Sequence, residues 1–384
     1  MDKQEREQFV ADLIRLNTVG GHEDRVAHFL KAAFDARGIY NQVLPVENGR
    51  SNFYAEIGTG EIDKVVALEG HEDVVALGNP AAWEHEPLGA EIKDGKMYGR
   101  GTTDMKGGLA AECIAMFELA DRAEPVRGKV KLLVTVAEES SPQNHMQGAQ
   151  AFTKAGYLAD VDAMILAEPS FGQLNCANKG SLTYAVTSKG KAAHSSMPQL
   201  GFNAIEPLMT FYQAQQAFFA TLGAENPHLG KTVPVVTKIE GGQQLNSVPS
   251  TAALYMKVRT IPEEPNLMIL DHLQELIDRI NRQEGAQLAL ELLGQKVPVV
   301  TDPHGEFNQI LHQVAEEVFD QSIKICGSAA GTDASEMIKG NPDMTIAVFG
   351  PGNRTAHQVD EYMLLSTFHK DIEVYKQAIL TYFG

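Results

Sequence analysis

The chain reads as an α/β protein whose mostly parallel central sheet, with helices on both faces, is interrupted by an inserted α+β domain. Two patterns carry this reading. Four short apolar runs, Val65–Leu68, Leu132–Val136, Met164–Ala167 and Thr345–Phe349, show no alternation with polar residues. Each is bounded by turn or acidic residues and set apart by helical patterns, as strands buried on both faces of a parallel sheet are. The middle of the chain differs: Leu182–Ser188, Thr232–Ile239, Thr251–Arg259 and Gln287–Leu293 mix polar and apolar residues, which suits a sheet with one wet face. Helical patterns over Asn203–Leu222 and Asn266–Arg282 interrupt them. The resulting β-α-β-β-α-β order is a split βαβ, ferredoxin-like arrangement. Residues 1–178 and 295–384 are therefore predicted to form one domain and 179–294 the insertion, a division that suits 384 residues.

Two helices are expected first. Phe9, Val10, Leu13, Ile14 and Leu16 recur at helical spacing within Lys3–Asn17, and Asp24–Arg37 is amphipathic. A further helix, Met105–Ala120, follows a glycine-rich turn.

Charge narrows the functional classes. Lys plus Arg number 32 against 50 for Asp plus Glu, a formal charge of −18. Nucleic acid and anionic membrane both require a positive surface, so neither is expected as a partner. No run of about 18 apolar residues is present to span a bilayer. The polar opening Met1-Asp-Lys-Gln-Glu-Arg6 is read as lacking a signal peptide. Cys113, Cys176 and Cys326 form no metal-type pair and no even disulfide framework, so reduced thiols and a cytoplasmic location are expected.

The chemistry collects where the predicted strands end. Val65–Leu68 runs into Glu69-Gly70-His71-Glu72-Asp73, Leu132–Val136 into Glu138-Glu139, Met164–Ala167 into Glu168, and Thr345–Phe349 into Gly350-Pro-Gly and then His357. Open α/β sheets place their sites just outside the carboxyl ends of strands, so these residues should converge on one rim. Tyr98-Gly-Arg-Gly-Thr-Thr-Asp104 joins them. Its glycines resemble part of a dinucleotide loop, but Asp104 stands where a pyrophosphate would bind and would repel it, so the turn better serves to deliver a carboxylate. Two histidines and at least four carboxylates without thiolate suit zinc, with cobalt or manganese as substitutes. Two neighbouring cations require a bridging anion. Successive side chains diverge, so one of Glu138 and Glu139 ligates while the other remains to move protons.

These segments resemble the zinc aminoacylase and carboxypeptidase family, which includes acetylornithine deacetylase, succinyl-diaminopimelate desuccinylase, glutamate carboxypeptidase and related dipeptidases. The resemblance extends over nearly the whole chain. Beyond the motifs above it takes in Trp83 and Pro87, Met105-Lys-Gly-Gly108, Gly190-Lys-Ala-Ala-His194, Asn246-Ser-Val-Pro249, Arg259 and Gly331-Thr332-Asp333. It implies a two-metal hydrolase of amide bonds. One cation is held by His71 and Glu168, the other by Glu139 and His357, with Asp104 bridging and a cis Asp104–Met105 peptide. Asp73 fixes the His71 tautomer, and Glu138 is the general base. The inserted domain forms a lid and a homodimer contact, and its His194 stabilises the oxyanion in the partner's site. Asn246, Arg259, Gly331 and Thr332 resemble the family's groups that bind the substrate carboxylate, and closure of the domains over substrate is expected.

Three positions depart from the family pattern. Ala137 stands where an acidic or polar residue is common, Ala76 where a proline is, and Ser140-Ser-Pro-Gln-Asn-His145 where glycines are. They remove neither a ligand nor the base; they alter the pocket wall. The implied activity is removal of an acyl group from a small N-acyl amino acid. A carboxypeptidase or dipeptidase with the same metals is the close alternative. A non-catalytic metal-binding relative would be expected to lack Glu138. A thiol hydrolase would need a Cys–His pair, and Cys176 in Asn175-Cys-Ala177 offers none.

Overall fold

The computed structural model describes residues 1–139 and 145–384. The departure at 140–144 thus lies outside the described residues. The chain divides into two compact units: Met1–Ala177, Val300–Gly327 and Thr332–Gly384 form the first, and Asn178–Val299 with Ser328–Gly331 the second. The short return of Ser328–Gly331 has a local cause. The Lys179 N–H donates to Ser328 O (3.0 Å), and Lys296 Nζ donates to Gly331 O (2.9 Å).

The first unit opens with helix α1 (Lys3–Arg15), which starts at a capping box between Asp2 and Glu5 and buries Phe9, Val10, Leu13 and Ile14. Helix α2 (Asp24–Asp35) precedes strands β1 (Tyr40–Pro45), β2 (Ser51–Ile57), β3 (Val65–His71), β4 (Glu91–Lys93) and β5 (Lys96–Tyr98). Helix α3 (Lys106–Ala120) leads to β6 (Lys129–Thr135), α4 (Gln147–Ala155), β7 (Ala163–Leu166) and β8 (Leu174–Asn178). The second unit supplies β9 (Gly180–Lys189), α5 (Ile205–Thr221), β10 (Val233–Gly241), β11 (Thr251–Thr260), α6 (Asn266–Ile280) and β12 (Leu288–Lys296). After β13 (Val299–Val300) come α7 (Glu306–Phe319), β14 (Ile325–Ser328), α8 (Ala334–Met337), β15 (Thr345–Val348), β16 (Tyr362–Leu364) and α9 (Leu365–Phe383).

The large sheet has the order β1-β2-β6-β3-β7-β15-β8-β13, with β14 paired to β8. Its centre, β6-β3-β7-β15, is parallel throughout. The flanks, β1 on β2, β2 on β6 and β8 on β15, are antiparallel. Every residue of β3 and of β7 is buried, as their unbroken apolar character requires. β3 runs on to His71, beyond the predicted apolar run, so Glu69 lies within the strand rather than in a loop. β16, β5 and β4 form a separate small sheet.

Helix α3 is buried all round from Lys106 to Phe117, because it lies in the main core among α1, β3 and α9. Its double glycine is a matter of clearance: a Cβ on Gly107 would lie 2.1 Å from Thr102 O, and one on Gly108 2.1 Å from Ala167 O.

In the second unit an antiparallel sheet of order β10-β11-β9-β12 packs one face on α5 and α6. Leu182, Tyr184, Val186, Leu254 and Met256 meet Phe211, Ile269 and Leu273 in its core. Edge strand β10 is bulged between Val236 and Lys238 and leaves Val233, Val235 and Ile239 exposed.

Candidate metal centre

The parallel strands bring the predicted ligands to one rim of the first unit. His71 ends β3; Glu138 and Glu139 follow β6 through a turn in which Ala137 has φ +66°; Glu168 lies just past β7; His357, with φ +65°, follows β15. Asp104 arrives on the turn before α3, and its peptide to Met105 is cis. The two oxygens of Asp104 face different histidines: Oδ1 lies 3.3 Å from His71 Nε2 and Oδ2 lies 3.1 Å from His357 Nε2. Glu139 Oε1 lies 2.6 Å from His357 Nε2, and Glu168 Oε1 lies 3.9 Å from His71 Nε2. The sets His71, Asp104, Glu168 and Asp104, Glu139, His357 each place one ligand atom per residue within 4.8 Å of the others. A third set, His71, Glu138, Glu139, does the same. Glu138 therefore sits against the cluster it is expected to serve as base.

Asp73 meets His71 through its main chain. Its backbone carbonyl, not its carboxylate, takes the close contact with His71 Nδ1 (2.9 Å); the carboxylate stands off at 3.7 Å. That carbonyl fixes the tautomer with the proton on Nδ1 and leaves Nε2 to ligate. The Asp73 carboxylate instead accepts the N–H of Glu138 (3.1 Å) and that of Glu139 (3.0 Å). It orients the glutamate pair through the main chain.

Two residues of the site were not anticipated, Arg100 and Glu361. Glu361 is fully buried; its Oε1 accepts the N–H groups of Gly101 (3.0 Å), Thr103 (2.9 Å) and Asp104 (3.0 Å). Its Oε2 accepts from Arg100 (2.5 Å), which also donates to Ala76 O (3.2 Å) and His357 O (3.3 Å). Arg100 stood in view between Gly99 and Gly101 but read as part of a turn. A lone glutamate after His357 carried no signal in the sequence.

The cluster is electrostatically crowded. Burial pushes the Glu168 carboxyl well up, and Asp104, Glu138 and Glu139 add to the push. Burial also raises Glu139, against the bond from His357. Burial opposes ionisation of Asp104 too, but the bonds from His357 and His71 outweigh it and hold that carboxyl low. Bonds to Asp104 and Glu139 raise His357 to about 10. Burial works against a charged His71, yet Asp104 and Glu168 hold its pKa well above the ordinary value. Four carboxylates about two imidazoles, with one carboxylate shared, are a donor set that two divalent cations would neutralise. The residues fit such a pair. Burial drives the Cys176 thiol up to about 12, which disfavours the thiolate that a nucleophile needs.

The remaining predicted residues lie apart in sequence. His194, Asn246, Arg259 and Gly331 belong to the second unit, whereas Thr332 is buried in the first. His194 is exposed; its Nδ1 accepts the Ser196 N–H (3.2 Å), so Nε2 carries the proton. The Ser195 N–H donates to Asn246 O (3.0 Å), tying the two predicted segments together.

The model of peptidase family M20/M25/M40 matches residues 67–381. The chain belongs to this family. M20 membership makes it a metal-dependent hydrolase of amide bonds. The chain is 36% identical to a probable succinyl-diaminopimelate desuccinylase of Staphylococcus aureus (strain MRSA252), over 99% of this chain and 98% of that protein. Succinyl-diaminopimelate desuccinylase 2 of Ruegeria sp. (strain TM1040) is 27% identical, with 98% and 95% covered. The fold matches an M20 metallo-carboxypeptidase from Sulfolobus solfataricus with a TM-score of 0.81, at 18% identity and over the full length of both chains. It also matches a Bacillus subtilis M20 peptidase described as dinuclear metal binding, with a TM-score of 0.74 at 17% identity over 99% and 98%.

Proposed function

We propose that this M20 hydrolase removes a succinyl or similar acyl group from a small N-acyl amino acid, with two divalent cations at the His71, Asp104, Glu139, Glu168, His357 cluster. The shared carboxylate carries the reading: Asp104 turns one oxygen to each histidine, as a bridge between two neighbouring cations requires. His71 and Glu168 would hold one cation, and Glu139 and His357 the other. Zinc is the cation proposed, with cobalt or manganese as substitutes. When bound, the cations polarise the amide carbonyl and bring the pKa of a water down to about 7.

The chain's own residues do the rest. Glu138 takes the proton of the attacking water and passes it to the leaving amine. Asp73 holds Glu138 and Glu139 in register through their N–H groups. His194 presents its Nε2 proton to the developing oxyanion, by the family likeness in the partner's site. Asn246, Arg259, Gly331 and Thr332 are proposed for the substrate carboxylate.

A desuccinylase is favoured over a carboxypeptidase by the full-length relatives and by cation crowding in the second unit. Burial and nearby Arg259 lower the pKa of Lys179, and burial with Arg259 and Lys296 lowers that of Lys257. Like charges gathered on an acidic protein suit a substrate with more than one carboxylate. The homodimer proposed for the inserted unit has support in the exposed apolar edge of β10. The cytoplasmic location proposed for it has support in three unpaired cysteines.

The test is turnover of N-succinyl-diaminopimelate against N-acetyl-ornithine, other N-acyl amino acids, acyl-glutamates and dipeptides, with and without chelator. Chelator-sensitive preference for a succinylated substrate is expected. Preference for dipeptides would move the reading to the peptidase alternative.

A further inference from the structure

The two cation positions are built in different ways. The first rests on strands: His71 closes β3, buried on both faces, and Glu168 stands next to β7. Both share Asp104, which one loop delivers, and the second alone also depends on the loop that delivers His357. Neither loop residue is part of the sheet, so something must fix their separation.

Glu361 and Arg100 span that gap. One oxygen of Glu361 gathers three N–H groups of the turn from Gly101 to Asp104. The other pairs with Arg100, whose guanidinium reaches the His357 carbonyl at 3.3 Å and the Ala76 carbonyl at 3.2 Å. Both side chains are buried, at 0% and 2% exposure. A buried pair with this many partners resists displacement, because breaking it strands charge in the core; of the Arg100 nitrogens, Nε has no partner among the described residues.

We propose that Glu361 and Arg100 are positioning residues that hold the His357 loop against the Asp104 turn, and so govern the affinity of the cation held by Glu139 and His357 more strongly than that of the cation held by His71 and Glu168, which shares Asp104 but keeps ligands at two strand ends. The inference rests on the two-cation reading above. Outer partners that orient metal ligands change affinity by about 10- to 100-fold when removed. Glu361→Gln keeps the shape but replaces one acceptor oxygen by a donor. Arg100→Lys keeps the charge but loses the planar fork that reaches three acceptors at once.

The experiment is calorimetric titration of the metal-stripped protein with Zn2+, paralleled by the absorption spectrum on titration with Co2+. His357→Ala and His71→Ala identify which binding step belongs to which position. Wild-type protein that takes fewer than two cations defeats the two-cation reading itself. With two steps in the wild type, Glu361→Gln and Arg100→Lys are expected to weaken the His357 step by about 10- to 100-fold, and the His71 step, which shares only Asp104 with it, by a clearly smaller factor. Arg6→Met breaks a distant ion pair with Glu118 and Glu373. It should lower thermal stability without altering the ratio of the two affinities. Equal weakening of both steps, weakening of the His71 step alone, or no change in either would overturn the proposal. If Glu361→Gln does not fold, Arg100→Lys decides alone.

Discussion

Replacing Asp73 by asparagine separates two roles that its position would otherwise confound. The carboxylate accepts two main-chain N–H groups, at 3.1 and 3.0 Å, from Glu138 and Glu139. Hydrogen bonds to a charged acceptor contribute about 1.5–3 kcal/mol each. Asparagine retains one acceptor oxygen and turns an NH2 towards the second N–H, so one bond is lost and a buried donor is left facing another. A cost of roughly 2–3 kcal/mol falls on the backbone that carries the base. Expressed in the placement of Glu138, this lowers kcat/KM about 30- to 150-fold. The contact that sets the His71 tautomer belongs to the Asp73 carbonyl, which asparagine keeps. Affinity for the cation held by His71 and Glu168 should therefore change by less than about 3-fold, far below the 10- to 100-fold of a lost orienting partner. Steady-state kinetics on an N-succinyl amino acid, with calorimetric titration of the metal-stripped variant, measures both quantities. Full activity in Asp73→Asn, or collapse of the His71 cation affinity, would refute the assignment of the carboxylate to the glutamate pair.

Glu138→Ala should lower kcat by about 10²- to 10⁴-fold while the protein still binds two cations, read by kinetics and metal analysis of the same sample. Prolonged chelation should abolish turnover, with recovery on adding Zn2+ or Co2+; activity indifferent to chelator would count against a metal-dependent centre. Arg259 is half-buried and lowered in pKa by that burial, and Arg259→Met should raise KM for succinylated substrates more than for acetylated ones with kcat nearly held. Asp371 is buried in α9 with neither carboxyl oxygen hydrogen-bonded among the described residues, and burial holds its pKa well above the usual range. The folded state therefore keeps a proton that the unfolded state gives up above about pH 4, and stability falls as pH rises through the window between the two pKa values. Asp371→Asn should raise the Tm at about pH 8, with the gain vanishing towards about pH 4, in thermal melts across that range.

What the sequence conveyed about the fold follows from how strongly each segment is buried. Val65–Leu68 and Met164–Ala167 have no solvent face, so an unbroken apolar run was sufficient to mark them as strands. β1 is only partly buried, and β4 and β5 are three residues each; short, half-wet strands leave little periodicity to read. The candidate cluster was recognisable because His71, Glu139, Glu168 and His357 stand at or after the ends of central strands, which share a rim, while Asp104 was marked by its glycine-rich turn. Glu361 was invisible for the opposite reason: its partners are main-chain N–H groups, which any residue can supply. The sequence pointed to Asp73 as the partner of His71 but not to which of its oxygens, since spacing cannot distinguish a carbonyl from a carboxylate.

Helix α3 has one more consequence, for how the protein opens. A helix with no solvent face has no frayed or partly hydrated states available short of exposing the core of the first unit, so its amides should be among the last to exchange with solvent. Its first residues follow directly on Asp104, and Gly108 lies against Ala167, next to Glu168. Asp104 and Glu168, two of the proposed ligands, are thus attached to a segment expected to open among the last. Sub-global fluctuations that loosen the His357 loop would leave this half of the centre in place, so a cation held as proposed by His71 and Glu168 should be lost more slowly than one that depends on the His357 loop.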